Sequence, residues 1–149
     1  MGHKNYTQGI YEPLNKKKYT GSYPIVYRSS LEKKVFYLLD KSPKVSKWGS
    51  ESVVIPYKSP ADNKVHRYFV DVNFTFTDSN GKAIKYLIEI KPFRQTLKPE
   101  KTPRKREKTF LKESYTWAIN QAKWQAADAW ARKNGYMFKI ITEKDMMLG

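Results

Sequence analysis

The sequence predicts an α/β domain with a small mixed sheet, flanked by an N-terminal helix and a long helix nearer the C-terminus. Three observations predict this class: apolar residues at helical spacing after residue 28, two strand-like segments joined by a tight turn, and a long helical stretch followed by a strand. The chain has 149 residues, enough to bury the core of one domain. We expect that domain over residues 28–149. A basic arm over residues 1–27 precedes it and either lies across a core or a ligand or is loosely ordered.

The first helix is predicted in RSSLEKKVFYLLDKS, where Ser29 is a suitable N-cap and Pro43 prevents further helix. The next segment, ESVVIPYKS, is strand-like. Because Pro56 cannot donate a ladder hydrogen bond, this strand is expected near a sheet edge or at a bend. The helix face that we expect to be buried carries Leu31, Val35, Leu38 and Leu39.

The segment HRYFVDVNFTF alternates between apolar and polar side chains, as a half-buried strand does. Asn80-Gly81 predicts a hairpin turn, and IKYLIEIKP is the returning strand, ended by Pro92. The apolar face of the first strand consists of Val70, Val72, Phe74 and Phe76, and its polar face of Asp71, Asn73 and Thr75.

A long helix is predicted from residue 108 and is closed by Gly135, the expected residue just past a helix end. Tryptophans at helical spacing are more typical of a core than of base stacking. The segment YMFKIITEKD predicts a last, buried strand. The core face of the helix is expected to consist of Trp117, Trp124, Ala127 and Trp130.

Charge is the strongest bulk signal, since 29 Lys and Arg stand against 14 Asp and Glu, a formal net charge of +15. A surface of this sign attracts polyanions, so we expect a nucleic acid as partner. An anionic membrane is disfavoured, because there is no apolar run long enough to span a bilayer and no basic amphipathic helix. The first residues also lack the apolar core of a signal peptide.

The chain has no cysteine, which excludes disulfides and thiolate metal sites. His3 and His66 are its only histidines, which argues against a histidine-built zinc site. Any metal would therefore be held by oxygen ligands, and these suit Mg²⁺, with Mn²⁺ able to replace it.

Two carboxylates and a lysine interrupt the two most strand-like segments. Glu89 and Lys91 are two residues apart on one strand and project from the same face. Pairing around the hairpin brings Asp71 opposite or diagonal to Glu89, within reach of one shared cation. Without a cation the two carboxylates would repel each other, so a divalent metal is the predicted ligand. The alternatives are an exposed Asp71 and a Glu89–Lys91 ion pair worth at most about 1 kcal/mol.

At these residues the sequence resembles the PD-(D/E)xK nuclease superfamily. Asp71, seventeen intervening residues and then Glu89-Ile90-Lys91 fit its motif, although Val70 stands where the motif has proline. The resemblance implies a restriction-endonuclease-like core, metal-dependent hydrolysis of a phosphodiester, and a lysine that orients the attacking water.

The resemblance also implies that the first helix supplies a further acid, and Glu32 stands at that position. Glu32 would then hold the metal with Asp71 and Glu89. Two alternatives stay open: Glu32 only closes a capping box with Ser29, or Glu51 is the third acid. Several nucleases of the superfamily use a polar residue from the following helix, which makes Gln121 an accessory candidate, with surface polarity as the other interpretation.

The connection KPEKTPRKREKTFLK follows the strand that carries Lys91, and its position favours phosphate contacts at the mouth of a cleft. The alternative is a solvated loop. The expected DNA-binding residues are Lys98, Lys101, Arg104, Lys105, Arg106 and Lys108.

Four stretches together resemble the head completion nucleases of T-even-type tailed phages, with a layout similar to TnsA-type transposase endonucleases. The resemblance implies action on packaged DNA ends in the host cytoplasm or the virion head, with DNA and phage head or portal proteins as partners. The alternatives are a non-catalytic basic DNA-binding protein at the portal and, with no supporting motif, an RNA-binding module. The stretches are SSLEKKVFYLLDKSPKVSKWGSESVVIPY, HRYFVDVNFTF, YLIEIKP and NQAKWQAADAWARKNGYMFKIITEKD.

Overall fold

The computed structural model describes residues 8–148, and in that range the chain forms eight strands, three α-helices and two short 3-10 helices. The strands are β1 (Gly9–Tyr11), β2 (Ile25–Tyr27), β3 (Val45–Ser50), β4 (Val54–Lys58), β5 (Val65–Phe69), β6 (Val72–Thr77), β7 (Ala83–Ile90) and β8 (Tyr136–Ile141). The helices are α1 (Ser30–Lys41), α2 (Glu107–Asn134) and α3 (Glu143–Leu148), and the 3-10 helices are Lys16–Lys18 and Phe93–Thr96.

The central sheet has four strands in the order β3-β6-β7-β8. Strand β6 pairs antiparallel with both β3 and β7, and β8 pairs parallel with β7. This sheet confirms the predicted α/β class with a mixed sheet. Two two-stranded sheets, β1-β2 and β4-β5, flank it. No helix in residues 8–148 combines the length and apolar character needed to cross a bilayer.

Two hydrophobic cores lie on opposite faces of the central sheet, and the alternation along β7 separates them. Ile88 and Ile90 belong to the first core, under α1 and the N-terminal segment. Leu87 belongs to the second core, under α2, together with Trp124 and Ala127. Glu89 shares the face of Leu87, so the strand carries this acid toward the α2 side.

The first helix begins as predicted, because the Ser29 side chain caps it by accepting a hydrogen bond from the Glu32 N–H (3.1 Å). The predicted buried face is wrong at Leu38, which is 46% exposed. Phe36 and Asp40 are buried instead, because Tyr11 of the N-terminal segment packs against this side of the helix.

The segment predicted as one strand over residues 66–76 is two strands that belong to different sheets. β5 pairs with β4, whereas β6 pairs with β3 and β7. The predicted alternation is wrong at this break, since Val70 lies in the second core and Val72 in the first. Asp71 occupies the bend between them.

The bend has a physical cause in the facing strand. Between the pairs Ser50–Val72 and Val54–Phe69, residues 51–53 lie opposite residues 70–71, so three residues face two. The two segments stay hydrogen-bonded across this bulge, since the Glu51 N–H donates to the Asp71 carbonyl oxygen (3.1 Å). Glu51 has a φ of 52°, a left-handed conformation that is costly for a non-glycine residue. Bulges of this kind bend a strand pair and re-aim its side chains.

The hairpin and the long helix are confirmed. β6 and β7 are joined at Gly81, whose φ is +80°, and α2 ends at Gly135, which is left-handed with a φ of 77°. Trp117, however, is only partly buried and lies outside the second core. The last strand is partly exposed, with Met137 49% exposed, because β8 is the edge strand of the sheet.

Strand β3 and the β1-β2 sheet are absent from the sequence-based prediction. Trp48 of β3 is fully buried and is surrounded by Tyr11, Tyr19 and Phe36 at centroid distances of 4.7–6.0 Å. Ile25 of β2 is fully buried in the same core. Residues 8–27 of the predicted arm therefore lie across the core, the first of the two alternatives. His3 lies outside the described residues.

Asp40 attaches the N-terminal segment to α1. Its carboxylate accepts hydrogen bonds from the Tyr11 hydroxyl (2.7 Å), the Leu14 N–H (2.6 Å) and the Asn15 N–H (3.0 Å). Burial by itself raises the pKa of Asp40, but these hydrogen bonds outweigh it and lower the pKa below its usual value. The ionised form is therefore the one that holds the segment.

Replacing Asp40 with asparagine is expected to lower the free energy of unfolding by about 2 kcal/mol at pH 7, because hydrogen bonds to a charged acceptor are lost. Since the folded pKa is depressed, the stability that Asp40 contributes is complete above its unfolded pKa of about 4 and falls as the pH drops below it. Urea denaturation at pH 7 and pH 3 measures both effects. Tyr11→Phe, which removes one donor, should cost less. An Asp40→Asn protein within about 0.5 kcal/mol of wild type at pH 7 would contradict this account.

Candidate active site

Asp71 and Glu89 lie opposite each other at the end of the β6-β7 pair. Val72 pairs with Ile88, so the next position in the antiparallel register sets Asp71 against Glu89. An Asp71 carboxylate oxygen, Oδ2, accepts a hydrogen bond from the Ile90 N–H (2.8 Å), and Glu89 is only 5% exposed. The structure therefore brings together the two carboxylates that the sequence placed on paired strands.

The electrostatics of this pair are unfavourable without a cation. Burial, followed by the negative charge of Glu89, raises the pKa of Asp71 to about 8, against a smaller lowering by the Ile90 N–H. Glu32 adds a further negative charge and Lys91 partly offsets it. The site thus resists the simultaneous ionisation of its acids and favours a positive ligand.

Glu89 is held from two sides. The Tyr68 hydroxyl donates a hydrogen bond to Glu89 Oε1, and Lys91 Nζ lies 3.4 Å from Glu89 Oε2. Burial, and then the charge of Glu89, raises the pKa of Tyr68 above its ordinary value, so the phenol stays a donor. Sequence reasoning missed Tyr68. The alternation of its strand signals burial, but only the bend at Asp71 brings it to Glu89.

Glu32 lies near the same site, and its side chain and N–H both make hydrogen bonds at the start of α1. One of its carboxylate oxygens, Oε1, accepts a hydrogen bond from the Arg28 N–H (3.0 Å), and its own N–H is capped by Ser29. The pKa of Glu32 is raised above its ordinary value, mainly by burial and to a lesser extent by the negative charges of Glu51 and Glu89. The hydrogen bond from Arg28 and the charge of Arg28 act in the opposite direction. Only half of the capping-box alternative is formed, since Ser29 caps the Glu32 N–H but the Glu32 carboxylate accepts from Arg28, the residue before the N-cap. The role of Glu32 as a third acid stays a prediction.

Arg28 is a second residue that sequence reasoning missed. Its guanidinium Nη1 lies 2.5 Å from Glu51 Oε2, and the hydrogen bond and the charge of Glu51 raise the pKa of Arg28. Glu32 and Asp71 contribute to the same shift. Glu51, the alternative third acid, is therefore paired with a cation beside the site.

The residues fit a divalent metal in part. Across residues 8–148 no three carboxylate or histidine side chains come close enough to form a ready-made metal cage. Mg²⁺, however, is usually held by one or two carboxylates and keeps several waters, and the buried Glu89 with the half-buried Asp71 supplies that number of carboxylates. Glu32 lies beside the pair, outside such a cluster.

Two clefts lie in this part of the molecule. The smaller, about 370 Å³, is lined by Glu32 and Lys91 of the site, and the larger, about 960 Å³, lies between the connection after β7 and the first turns of α2. Gln95, which no motif singled out, lines both. Gln121 lines neither cleft, but Asp71 and Glu89 line neither cleft either, so the accessory role of Gln121 stays a prediction.

The six basic residues expected to bind DNA divide into two groups. The Lys101 ammonium donates to the Thr102 and Lys105 carbonyls (3.0 and 2.6 Å), and Lys105 pairs with Glu113 (2.7 Å), so these two lysines fold the connection itself. The other four side chains are exposed and make no ion pair with any described residue: Lys98, Arg104, Arg106 and Lys108.

Comparison with known proteins decides the family. Residues 42–143 match the model of the TnsA-like endonuclease N-terminal domain. The chain belongs to the TnsA-like endonuclease family. It is also 43% identical over 139 residues to the head completion nuclease of Enterobacteria phage T4, covering 91% of this chain and 90% of that protein. No solved structure matches the chain. The predicted PD-(D/E)xK resemblance and fold class are confirmed.

The Asp71→Asn substitution is expected to raise the melting temperature in EDTA by about 3–6 °C at pH 8, because it removes a buried charge and keeps an acceptor for the Ile90 N–H. Since the folded pKa of Asp71 is raised, the folded protein binds the extra proton between about pH 4 and pH 8. Wild-type stability falls across that window as the pH rises. The gain should thus shrink toward pH 4.5 in thermal melts. An equal gain at both pH values, or a loss at pH 8, would show that the acids do not repel each other.

Proposed function

We propose that this chain is a divalent-metal-dependent DNA endonuclease that acts at phage head completion and hydrolyses phosphodiester bonds of packaged or terminal DNA before the tail attaches. The observation that carries the proposal is the pair of the half-buried Asp71 and the buried Glu89 with Lys91 beside it, in a chain 43% identical to a phage head completion nuclease. Phage head or portal proteins are the proposed protein partners. The host cytoplasm during assembly and the virion head are the proposed locations.

Asp71 and Glu89 would hold Mg²⁺, for which Mn²⁺ can substitute, with Glu32 as the third acid. When bound, the metal supplies positive charge at the scissile phosphate and at the leaving oxygen. The same charge relieves the repulsion that raises the pKa of Asp71, so metal and acids stabilise each other.

The chain's own groups orient the reactants. Tyr68 donates to Glu89 Oε1 and thereby leaves Oε2 on the side of Lys91. Lys91 is only partly exposed, and its ammonium group has donors left to position an attacking water in line with the phosphate. In the smaller cleft, Lys91 and Glu32 face the space that a phosphate group would enter.

The substitutions Asp71→Asn, Glu89→Gln and Lys91→Ala are each expected to lower the rate of DNA cleavage at least roughly a hundredfold, because each removes a group at the reacting phosphate. Purified protein is incubated with linear and closed-circular DNA in Mg²⁺, Mn²⁺ or EDTA. Nicking of the circle distinguishes internal cutting from trimming of ends. DNA left intact under every metal would sink the catalytic proposal.

The variants Glu32→Gln and Glu51→Gln together test which of these two residues is the third acid. Glutamine at position 32 still accepts the Arg28 N–H, so the helix start is kept while the charge is lost. We expect Glu32→Gln to lower the cleavage rate and Glu51→Gln to leave it within a few fold. The reverse order would assign the third acid to Glu51.

The rival function is a non-catalytic basic protein that binds DNA at the portal. Two observations favour it: the described residues contain no ready-made metal cage, and the Glu32 carboxylate bonds at the start of α1. Such a protein would bind DNA and show no metal-dependent cleavage, so the assay above separates the two functions.

Removing the exposed cations Arg104, Arg106 and Lys108 is expected to weaken DNA binding and to reduce the slope of log Kd against log salt by about 2–3. The reason is that each lost phosphate contact releases one counterion fewer. Fluorescence anisotropy over a salt series measures the slope. The triple variant Lys47→Ala, Lys58→Ala and Lys133→Ala removes the same charge outside the connection. Equal slopes for the two triple variants would assign binding to net charge alone.

A further inference from the structure

The larger cleft has a composition that the hydrolytic site does not explain. Its walls carry Arg94, Lys98 and Lys112, and the described structure shows no ion pair for any of them. With Lys105, Glu100 and Glu113, the lining has four cations and two carboxylates, a surplus of two positive charges. Its volume of about 960 Å³ lies within the range that holds a small organic ligand.

Trp117 forms an aromatic wall in this cleft. Trp48 and Trp124 lie inside the hydrophobic cores, whereas Trp117 lines the open space. Lys98 Nζ stands 5.9 Å from the centroid of the Trp117 ring, so a cation already lies over the aromatic face. An indole face and an ammonium group at this distance suit a flat base that carries a phosphate.

The floor of the cleft is polar. Asn120 is only 7% exposed and lines the cleft one helical turn after Trp117. A side-chain amide offers both donors and an acceptor, the set that a base edge can use. In duplex DNA the base faces are covered by their neighbours, so a recessed ring can contact only an unpaired base.

The cleft is also placed next to the hydrolytic site. Gln95 lines both clefts, and the smaller one contains Glu32 and Lys91. A strand whose phosphate lies at Lys91 therefore passes Gln95 and reaches Trp117. We propose that the larger cleft binds a single unpaired nucleotide of the DNA strand, with its base against Trp117 and its phosphates contacted by Arg94, Lys98 and Lys112.

This inference rests on the proposed function for the nature of its ligand, and it makes the enzyme prefer frayed or tailed ends. The test is a fluorescein-labelled DNA hairpin with a blunt end, a three-nucleotide tail or an abasic tail of equal length. Anisotropy in EDTA measures affinity without cleavage. Wild type should bind the tailed hairpin roughly tenfold tighter than the abasic one, the scale of one stacked base.

The variants assign that preference to the cleft. Trp117→Ala should remove the preference for a base and leave blunt-end affinity unchanged, while Trp117→Phe keeps part of it. Lys98→Ala with Lys112→Ala should weaken tailed and abasic hairpins alike, and more than Lys58→Ala with Lys133→Ala does. Should Trp117→Ala fail to fold, quenching of tryptophan emission by the tail, present in wild type and absent in Trp117→Phe, decides the question.

Equal wild-type affinity for the tailed and abasic hairpins would overturn the inference, as would a Trp117→Ala loss that is equal for blunt and tailed ends. Cleavage in Mg²⁺ is scored separately. Protein that cuts DNA but ignores the tail refutes only the nucleotide cleft. Protein that binds the tail through Trp117 but never cuts refutes the hydrolytic function and leaves the cleft standing.

Discussion

The arrangement of the rest of the molecule depends on a bulge between two paired segments, β3-β4 and β5-β6. At this bulge three residues of the first segment face two of the second. Residues 51–53 face residues 70–71, and the paired segments turn from the four-stranded sheet into the β4-β5 pair. Because of this turn, Val70 packs into the second core and Val72, two residues later, packs into the first core on the other face of the sheet. The residue at the turn is Asp71, which is thereby aimed at the end of β7.

The buried acids stand in contrast to the charge of the whole chain. A surface with a net charge of +15 holds anions at its exterior, yet the interior of the sheet end concentrates negative charge. Asp71 and Glu89 face each other with a single nearby lysine, and burial raises the pKa of Asp71. Such an arrangement lowers folding stability and is found where a site is kept for its ligand. Under the proposed function, attraction of DNA and binding of metal are therefore separate electrostatic tasks in separate parts of the molecule.

The N-terminal segment supports the site from the far side of α1. Asp40 ties this segment to the helix, and Tyr11 and Tyr19 enclose Trp48 of β3. The same helix is capped by Ser29, and Arg28 and Glu32 at this end of the helix lie near the acids of the sheet. A segment distant from Asp71 and Glu89 therefore helps to hold the helix that carries Glu32.

The sequence by itself determined the α/β class, the hairpin at Gly81, the limits of α1 and α2, and the pairing of Asp71 with Glu89. These features depend on local periodicity and turn chemistry, which act over a few residues. Only the tertiary structure decided the bend at Asp71 and the contact of Tyr68 with Glu89. It also decided that Arg28 pairs with Glu51, and that Trp117 lines a cleft and lies outside the second core. Each of those depends on a bulge or on packing between segments distant in the chain, for which alternation and spacing carry no signal.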